Sequence, residues 1–269
     1  MSTPKPTDSP PLFDMRPLDG EMLKAAELIE IEQIAGKPPS LYARRVYNLL
    51  LHNAHGPDMA EPGREFVIET AKLKFSHKSV ERLDAAILSL MQTVIRIQHS
   101  DNARERVNLL GWTNLDDPSR ERGVLRYSFH PKLVEMLQDS RIFARLQLDV
   151  VHAVSSKYAL ALYELIAKRV RLSFVRSEVF EVDQLRDLLG VEKGKLGTYS
   201  NFLKIALQPA VDEVNRFAEF AVAFEPISRG RKVTGVRIAW GMKDTEGRQA
   251  AYRAMRGISD ESADAQLLD

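Results

Sequence analysis

The sequence contains no cysteine among its 269 residues. This absence excludes disulfide bonds, cysteine-ligated zinc sites and thiol catalysis, and it is typical of proteins in a reducing compartment. Apolar runs are only a few residues long, whereas a membrane-spanning helix needs about 20 apolar residues. The N-terminus lacks the basic and then apolar pattern of a signal peptide. These absences predict a cytoplasmic protein with no membrane partner.

The motifs of common enzymes are missing as well. Residues 190–196 resemble a phosphate-binding loop, but the glycine spacing is one residue short and Leu196 replaces the magnesium-binding Ser or Thr. His52 and His55 do not form the His-hydrophobe-His metal motif of DNA-nicking enzymes. No nucleophile is paired with a candidate base. We therefore predict that the chain is not an enzyme and uses no cofactor and no metal.

The net charge of the whole chain is only +1, but the charged residues are unevenly distributed along it. Residues 1–35 carry a net −4 and residues 257–269 another −4, which leaves +9 for residues 36–256. A basic body between acidic ends is the electrostatic footprint of a nucleic-acid binder. A mildly basic, solvated surface would give the same count, so charge alone favours neither interpretation.

The chain begins with a proline-rich stretch, and residues 1–20 are predicted to be a disordered arm. Over residues 21–35, Leu23, Leu28 and Ile31 recur at roughly helical spacing, which predicts a short amphipathic helix.

Further along, the pattern predicts a helix capped by Ser40, a strand at 66–68 and a helix capped by Ser76 or Ser79. Three antiparallel strands should follow, over residues 93–97, 107–112 and 123–129. Helix, strand, helix and strand ribbon is the order of a winged helix.

The same order repeats in the second half. Residues 156–166 align with residues 40–50 at an offset of 116, and residues 180–183 echo residues 66–69. A second capped helix then leads into strands that pair across a basic turn at 228–232. An internal repeat of this length indicates two copies of one unit.

The predicted fold class is therefore α+β, with two tandem winged-helix domains related by internal duplication. The first domain should cover residues 21–145 and the second, the principal DNA reader, residues 146–242. Residues 243–269 are predicted to be a flexible tail with an acidic end.

Three stretches of the second half carry a resemblance to a known family. They are SSKYALALYEL at 155–165, FEVDQLRDLLG at 180–190 and NFLKIALQPAVDEVN at 201–215. These stretches resemble the second domain of the iteron-binding plasmid replication initiators of theta-type replication, the RepA/RepB/RepE-like group. The resemblance is close over 150–242 and looser over 40–145.

The resemblance implies a protein that binds direct repeats, called iterons, in double-stranded origin DNA and promotes opening of the origin. It also implies a host initiator and helicase as partners, and repression of its own gene as a homodimer. A winged-helix transcriptional repressor without initiator activity is one alternative. A protein-interaction adaptor that contacts replication proteins instead of DNA is another.

In the second domain, the recognition helix is expected to begin near residue 198, because polar side chains cluster where a winged helix meets the major groove. The three cations of the hairpin turn are expected to bind phosphate. The candidate DNA contacts of this domain are Lys193, Lys195, Thr198, Tyr199, Ser200, Asn201, Lys204, Arg229, Arg231 and Lys232.

In the first domain, the densest basic cluster falls at the turn before the equivalent helix and at the start of that helix. The candidate DNA contacts there are Lys72, Lys74, Ser76, His77, Lys78, Ser79 and Arg82.

Overall fold

The computed structural model of the chain describes residues 11–61, 63–74, 80–98, 104–116, 123–172 and 174–257. The chain divides into two compact units, Met1–Arg145 and Leu146–Asp269. The sequence repeat predicts a boundary at the same place. No helix within the described ranges combines the length and the apolar character needed to cross a membrane.

The first unit mixes helices with short strands. In chain order these elements are β1 (Glu21–Ala25), β2 (Glu32–Ala35), α1 (Leu41–Ala54), β3 (Phe66–Glu69), α2 (Val80–Gln92), β4 (Val94–Gln98), β5 (Arg104–Asn108), β6 (Trp112–Leu115), β7 (Val124–Ser128), α3 (Pro131–Asp139) and β8 (Phe143–Gln147), the strand through which the chain passes into the second unit. Short 3₁₀ turns lie at Leu12–Asp14, Ala26–Leu28, Pro57–Ala60 and Thr70–Leu73.

The winged-helix sheet of the first unit has the order β3-β7-β6 and is antiparallel. Its inner face is apolar, with Ile68 opposite Leu125 across the β3–β7 pair. The buried Tyr127 hydroxyl donates to the Leu50 carbonyl over 2.7 Å, which joins this sheet to α1. Two further sheets, β2-β4-β5 and β1-β8, complete the unit.

The second unit contains more helix. Its elements are α4 (Leu148–Ala153), α5 (Lys157–Ala167), β9 (Ser177–Glu181), α6 (Val182–Leu188), α7 (Tyr199–Phe202), α8 (Gln208–Phe217), β10 (Phe220–Arg229), β11 (Lys232–Met242) and α9 (Thr245–Met255). A π-helical segment, Leu203–Leu207, joins α7 to α8. The sheet is antiparallel with the order β10-β11-β9.

The two units repeat one arrangement, in which a helix and a strand precede a second helix and a two-stranded wing. The sheet orders β6-β7-β3 and β10-β11-β9 have the same topology. The opening helices also begin in the same way, because the Ser40 hydroxyl accepts from Ala43 N and the Ser156 hydroxyl from Ala159 N. The predicted α+β fold with two winged helices is confirmed.

The long helix of the second unit runs without a break from residue 199 to residue 217. Pro209 lies inside it, lacks a backbone N–H and would clash with the carbonyl four residues earlier in a regular α-helix. A π turn precedes Pro209 in the helix, and in this turn Gln208 N donates to the carbonyl of Leu203. Phe202, Leu207 and Val214 remain fully buried along one side of this helix.

The predicted amphipathic helix over residues 21–35 is wrong, because β1, a 3₁₀ turn and β2 occupy this range. All five residues of β1 are buried, including Glu21 and Lys24. The Lys24 ammonium donates to Asn48 over 2.9 Å, and Arg145 pairs with Glu21. Pairing with the distant β8 overrides the local helical spacing, which a single sequence does not reveal.

The predicted disordered arm over residues 1–20 is wrong for its last ten residues. Leu12 and Phe13 are each only 4% exposed. The His55 ring donates from Nε2 to the Met15 carbonyl over 2.7 Å, which holds this segment near the end of α1. Residues 1–10 lie outside the described residues.

The predicted flexible tail over residues 243–269 is wrong as far as residue 257, because α9 forms there. Asp244 caps the helix by accepting from Gly247 N over 2.8 Å. The Lys243 ammonium donates to the carbonyls of Asn215 and Ala218 at the end of α8, over 2.6 and 2.8 Å. Residues 258–269 lie outside the described residues.

Two predicted strand boundaries also change. The strand expected over 107–112 is divided, because β5 ends at Asn108 and β6 begins at Trp112. Of residues 180–183, which echo the first-unit strand, the first two end β9 and the next two open α6.

Candidate nucleic-acid interface

The start of the long helix in the second unit is fixed by two contacts. The Thr198 hydroxyl accepts from Asn201 N over 3.2 Å, which makes Thr198 the N-cap. The Arg186 guanidinium donates to the Gly197 carbonyl over 3.0 Å and lies 5.3 Å from the centre of the Phe202 ring. Helix α6, which carries Arg186, therefore positions the first turn of the long helix.

Three of the predicted DNA contacts in the first part of this helix, Ser200, Asn201 and Lys204, are exposed. Tyr199 differs from them because it is partly buried, and its hydroxyl oxygen is buried without a hydrogen-bond partner among the described residues. Burial raises the pKa of Tyr199. The structure thus brings three polar side chains together on one exposed face and turns the tyrosine away from water.

The loop before the helix carries the predicted contacts Lys193 and Lys195, and both are exposed. Its path needs left-handed backbone at three positions, Gly190 with φ of +73°, Gly194 with φ of +80° and Leu196 with φ of +52°. Lys195 N donates to the Glu192 carbonyl over 2.9 Å, which tightens the turn. The two ammonium groups therefore sit on a defined turn.

The wing of the second unit ends in the tight turn that the sequence predicts. Arg229 pairs with Lys232, so Gly230 and Arg231 form a two-residue connection in which Gly230 has φ of +65°. Arg229, Arg231 and Lys232 are all exposed, and none forms an ion pair with a described residue. The tip is a cluster of three exposed cations that lack acidic partners in the described part of the chain.

In the first unit, Lys72, Lys74 and Arg82 are exposed near the start of α2. The Tyr42 hydroxyl donates to the Leu73 carbonyl over 2.9 Å and so anchors the turn that carries both lysines. Burial raises the pKa of Tyr42, while the nearby Arg82 charge opposes this shift. The other four predicted contacts, Ser76, His77, Lys78 and Ser79, lie outside the described residues.

Two family models match the chain, and together they cover both units. The one described as "Initiator Replication protein, WH1" matches residues 22–167, and the one described as "Initiator Rep protein, WH2" matches residues 181–240. The chain belongs to this family of replication initiators. The matches agree with the two winged helices seen in the fold. No curated protein matches the chain.

A solved structure has a similar fold. It is described as "Crystal structure of Pi initiator protein in complex with iteron DNA" and matches with a TM-score of 0.60 at 20% sequence identity. The match covers 84% of the present chain and 98% of the other. At this identity the likeness shows that the two initiators share a fold.

The structural roles of two residues in this initiator's second winged helix could not be predicted from the sequence. Arg186 positions the helix start, but its partner, the Gly197 carbonyl, is backbone and leaves no mark in the sequence. Ile205 is 53% exposed on the long helix. It lies within the π-helical segment, for which Pro209 is the signal in the sequence.

Proposed function

We propose that this chain is a plasmid replication initiator that binds direct repeats in double-stranded origin DNA through both of its winged helices. The proposal rests mainly on the second winged helix, where an exposed polar helix face and an exposed cationic wing tip occur on one unit. Membership of the initiator family and the fold shared with an initiator solved in complex with iteron DNA support it.

The second winged helix inserts its long helix into the major groove, where Ser200, Asn201 and Lys204 form hydrogen bonds with base edges and phosphates. Arg229, Arg231 and Lys232 contact the DNA backbone from the wing. Phosphate contacts set the position of the protein on the duplex, and base contacts give the sequence preference. The exposed Lys193, Lys195 and Thr198 add phosphate contacts at the helix start.

The first winged helix binds the adjoining turn of the duplex through Lys72, Lys74 and Arg82. If each winged helix occupies one major groove, a single repeat spans about two helical turns, roughly 20 bp.

Origin opening in this scheme uses binding energy and DNA deformation, without catalysis by the chain. The initiator then recruits a host initiator and helicase in the cytoplasm, and as a homodimer it represses its own gene.

A footprint of the purified protein across the DNA flanking its own gene, at one fixed salt concentration, tests the proposal. The expected result is several protected direct repeats, each about two turns long. A single protected palindrome would instead indicate a transcriptional repressor. Absence of protection by the folded protein would contradict DNA binding.

A further inference from the structure

The long helix of the second unit exposes one large apolar side chain among polar neighbours. Ile205 is 53% exposed, whereas Phe202, Ala206 and Leu207 beside it are fully buried. The other exposed side chains on this helix are polar or charged: Ser200, Asn201, Lys204, Gln208, Asp212 and Arg216. An isolated exposed apolar residue elsewhere needs no explanation, but this one lies on the face proposed to enter the major groove.

The π turn sets the direction of Ile205. A π turn holds one residue more than an α turn, and this extra residue keeps Phe202 and Ala210 on the buried side of the helix. Asn201 and Ile205 are four residues apart and therefore neighbours on the exposed side.

A second row of side chains, Ser200, Lys204 and Gln208, follows the same four-residue spacing. The Gln208 amide donates to Asp212 over 2.8 Å, which orients its side chain. Ile205 is therefore bordered by groups that form hydrogen bonds, and it supplies the apolar surface of this face.

Among the base edges in the major groove, thymine alone presents an apolar group, its 5-methyl. We propose that Ile205 contacts the 5-methyl group of one thymine in each DNA repeat and thereby distinguishes a T·A pair from a C·G pair at that position. This inference rests on the proposed function, because it assigns one base contact within the same interface.

The test uses the full-length protein and duplexes that contain one footprinted repeat. Each thymine is replaced in turn by deoxyuridine, which removes only the methyl group, and the dissociation constants are compared. The wild-type protein should lose affinity roughly fourfold at one position, the value for burying one methyl-sized group. At that position, 5-methylcytosine should be bound more tightly than cytosine.

The variant Ile205→Ala should bind the thymine and deoxyuridine duplexes equally at that position, and Ile205→Val should discriminate less than the wild type does. The matched control is Leu172→Ala, which removes another exposed apolar side chain of the same unit, 47% exposed, outside the long helix. This control should keep the full preference for thymine. Because residue 205 is exposed, the urea midpoints of both position-205 variants should match that of the wild type.

The outcomes separate this inference from the proposed function. If the wild-type protein binds no specific site, the proposed function and this inference are both overturned. If it binds a specific repeat but deoxyuridine has no effect at any position, only the inference is overturned. A deoxyuridine penalty that persists unchanged in Ile205→Ala would also overturn it.

Discussion

At the scale of single residues, four basic side chains of the second unit fall into two groups. Arg169 and Arg186 are held by Glu178 and Asp183. Lys204 and Arg231 are exposed and form no ion pair with a described residue. Only the second group has its charge available for an external anion.

Removal of these available charges should therefore weaken DNA binding in two distinct ways. Lys204→Ala should reduce specific binding of the repeat more than non-specific binding, because Lys204 lies on the face proposed to read bases. Arg231→Gln should lower the slope of log K against log salt by about one unit, as expected for one lost phosphate contact. Affinity titrations at several salt concentrations measure both effects.

Arg64→Ala is the control for this pair, since Arg64 is already bound by Asp58 and Glu61. It should leave both the affinity and the salt slope unchanged. If Lys204→Ala and Arg231→Gln behave like this control, the assigned interface is wrong.

Arg169 has a structural role that its charge alone does not reveal. It is 7% exposed, donates to Glu178 over 2.6 Å and to the Leu165 carbonyl over 3.1 Å, and lies over the Phe180 ring. We expect Arg169→Ala to lower the free energy of unfolding by about 2 kcal/mol, since each hydrogen bond to a charged group contributes on this order and Glu178 keeps partial access to water.

Urea denaturation measures this effect. The exposed Arg171, two residues later, provides the matched variant, and Arg171→Ala should change the stability by less than about 0.5 kcal/mol. Equal effects of the two substitutions would contradict the structural role of Arg169.

At the scale of elements, the long helix of the second unit has a capped N-terminus and a π-helical segment within it. Thr198 caps it, and the π turn before Pro209 keeps its apolar stripe on the core. These two features decide which polar side chains share the exposed face.

Loss of the cap should destabilise this helix. Thr198→Ala is expected to cost about 1 kcal/mol of stability, because Asn201 N loses its side-chain acceptor. Ser200→Ala, two positions further into the helix and exposed, should have little effect on the urea midpoint. A Thr198→Ala variant as stable as Ser200→Ala would show that the cap is unimportant.

Local patterns predicted most elements of the two winged helices, because those elements carry their own caps and amphipathic stripes. Ser40 and Ser156 cap the helices that the sequence assigns to them. The range 21–35 was mispredicted because β1 finds its partner, β8, more than a hundred residues later. The helix α9 was missed because its anchor is the Lys243 ammonium on carbonyls of α8, which are backbone atoms.

At the scale of the whole molecule, each unit carries its own exposed basic residues within its own winged helix. Lys72 and Lys74 belong to the first unit, and Lys204 and Arg231 to the second. Binding through both units thus implies a footprint with two separable halves.

Charge removal in one unit should therefore shorten the footprint from one side. For Lys72→Ala combined with Lys74→Ala, we expect protection to shrink from about two helical turns to about one, while the other half stays protected. Lys204→Ala combined with Arg231→Ala should remove the opposite half. Uniform weakening over the whole site by both pairs would argue against one groove for each unit.

The sequence by itself determined the duplication, the two winged helices, the capped helix starts and the basic wing tip, because capping residues, apolar periodicity and the repeated order of elements can all be read along the chain. Tertiary structure alone decided that residues 21–35 are strands, because β1 and β2 pair with β8 and β4. It also decided that Arg169 is buried, because Arg169 packs against Glu178 and the Phe180 ring only in the folded unit. The exposure of Ile205, which lies in the π-helical segment, was likewise decided by the folded structure. Backbone carbonyls, which carry no sequence signal, accept the hydrogen bonds by which Arg186 and Lys243 position the start of the long helix and α9.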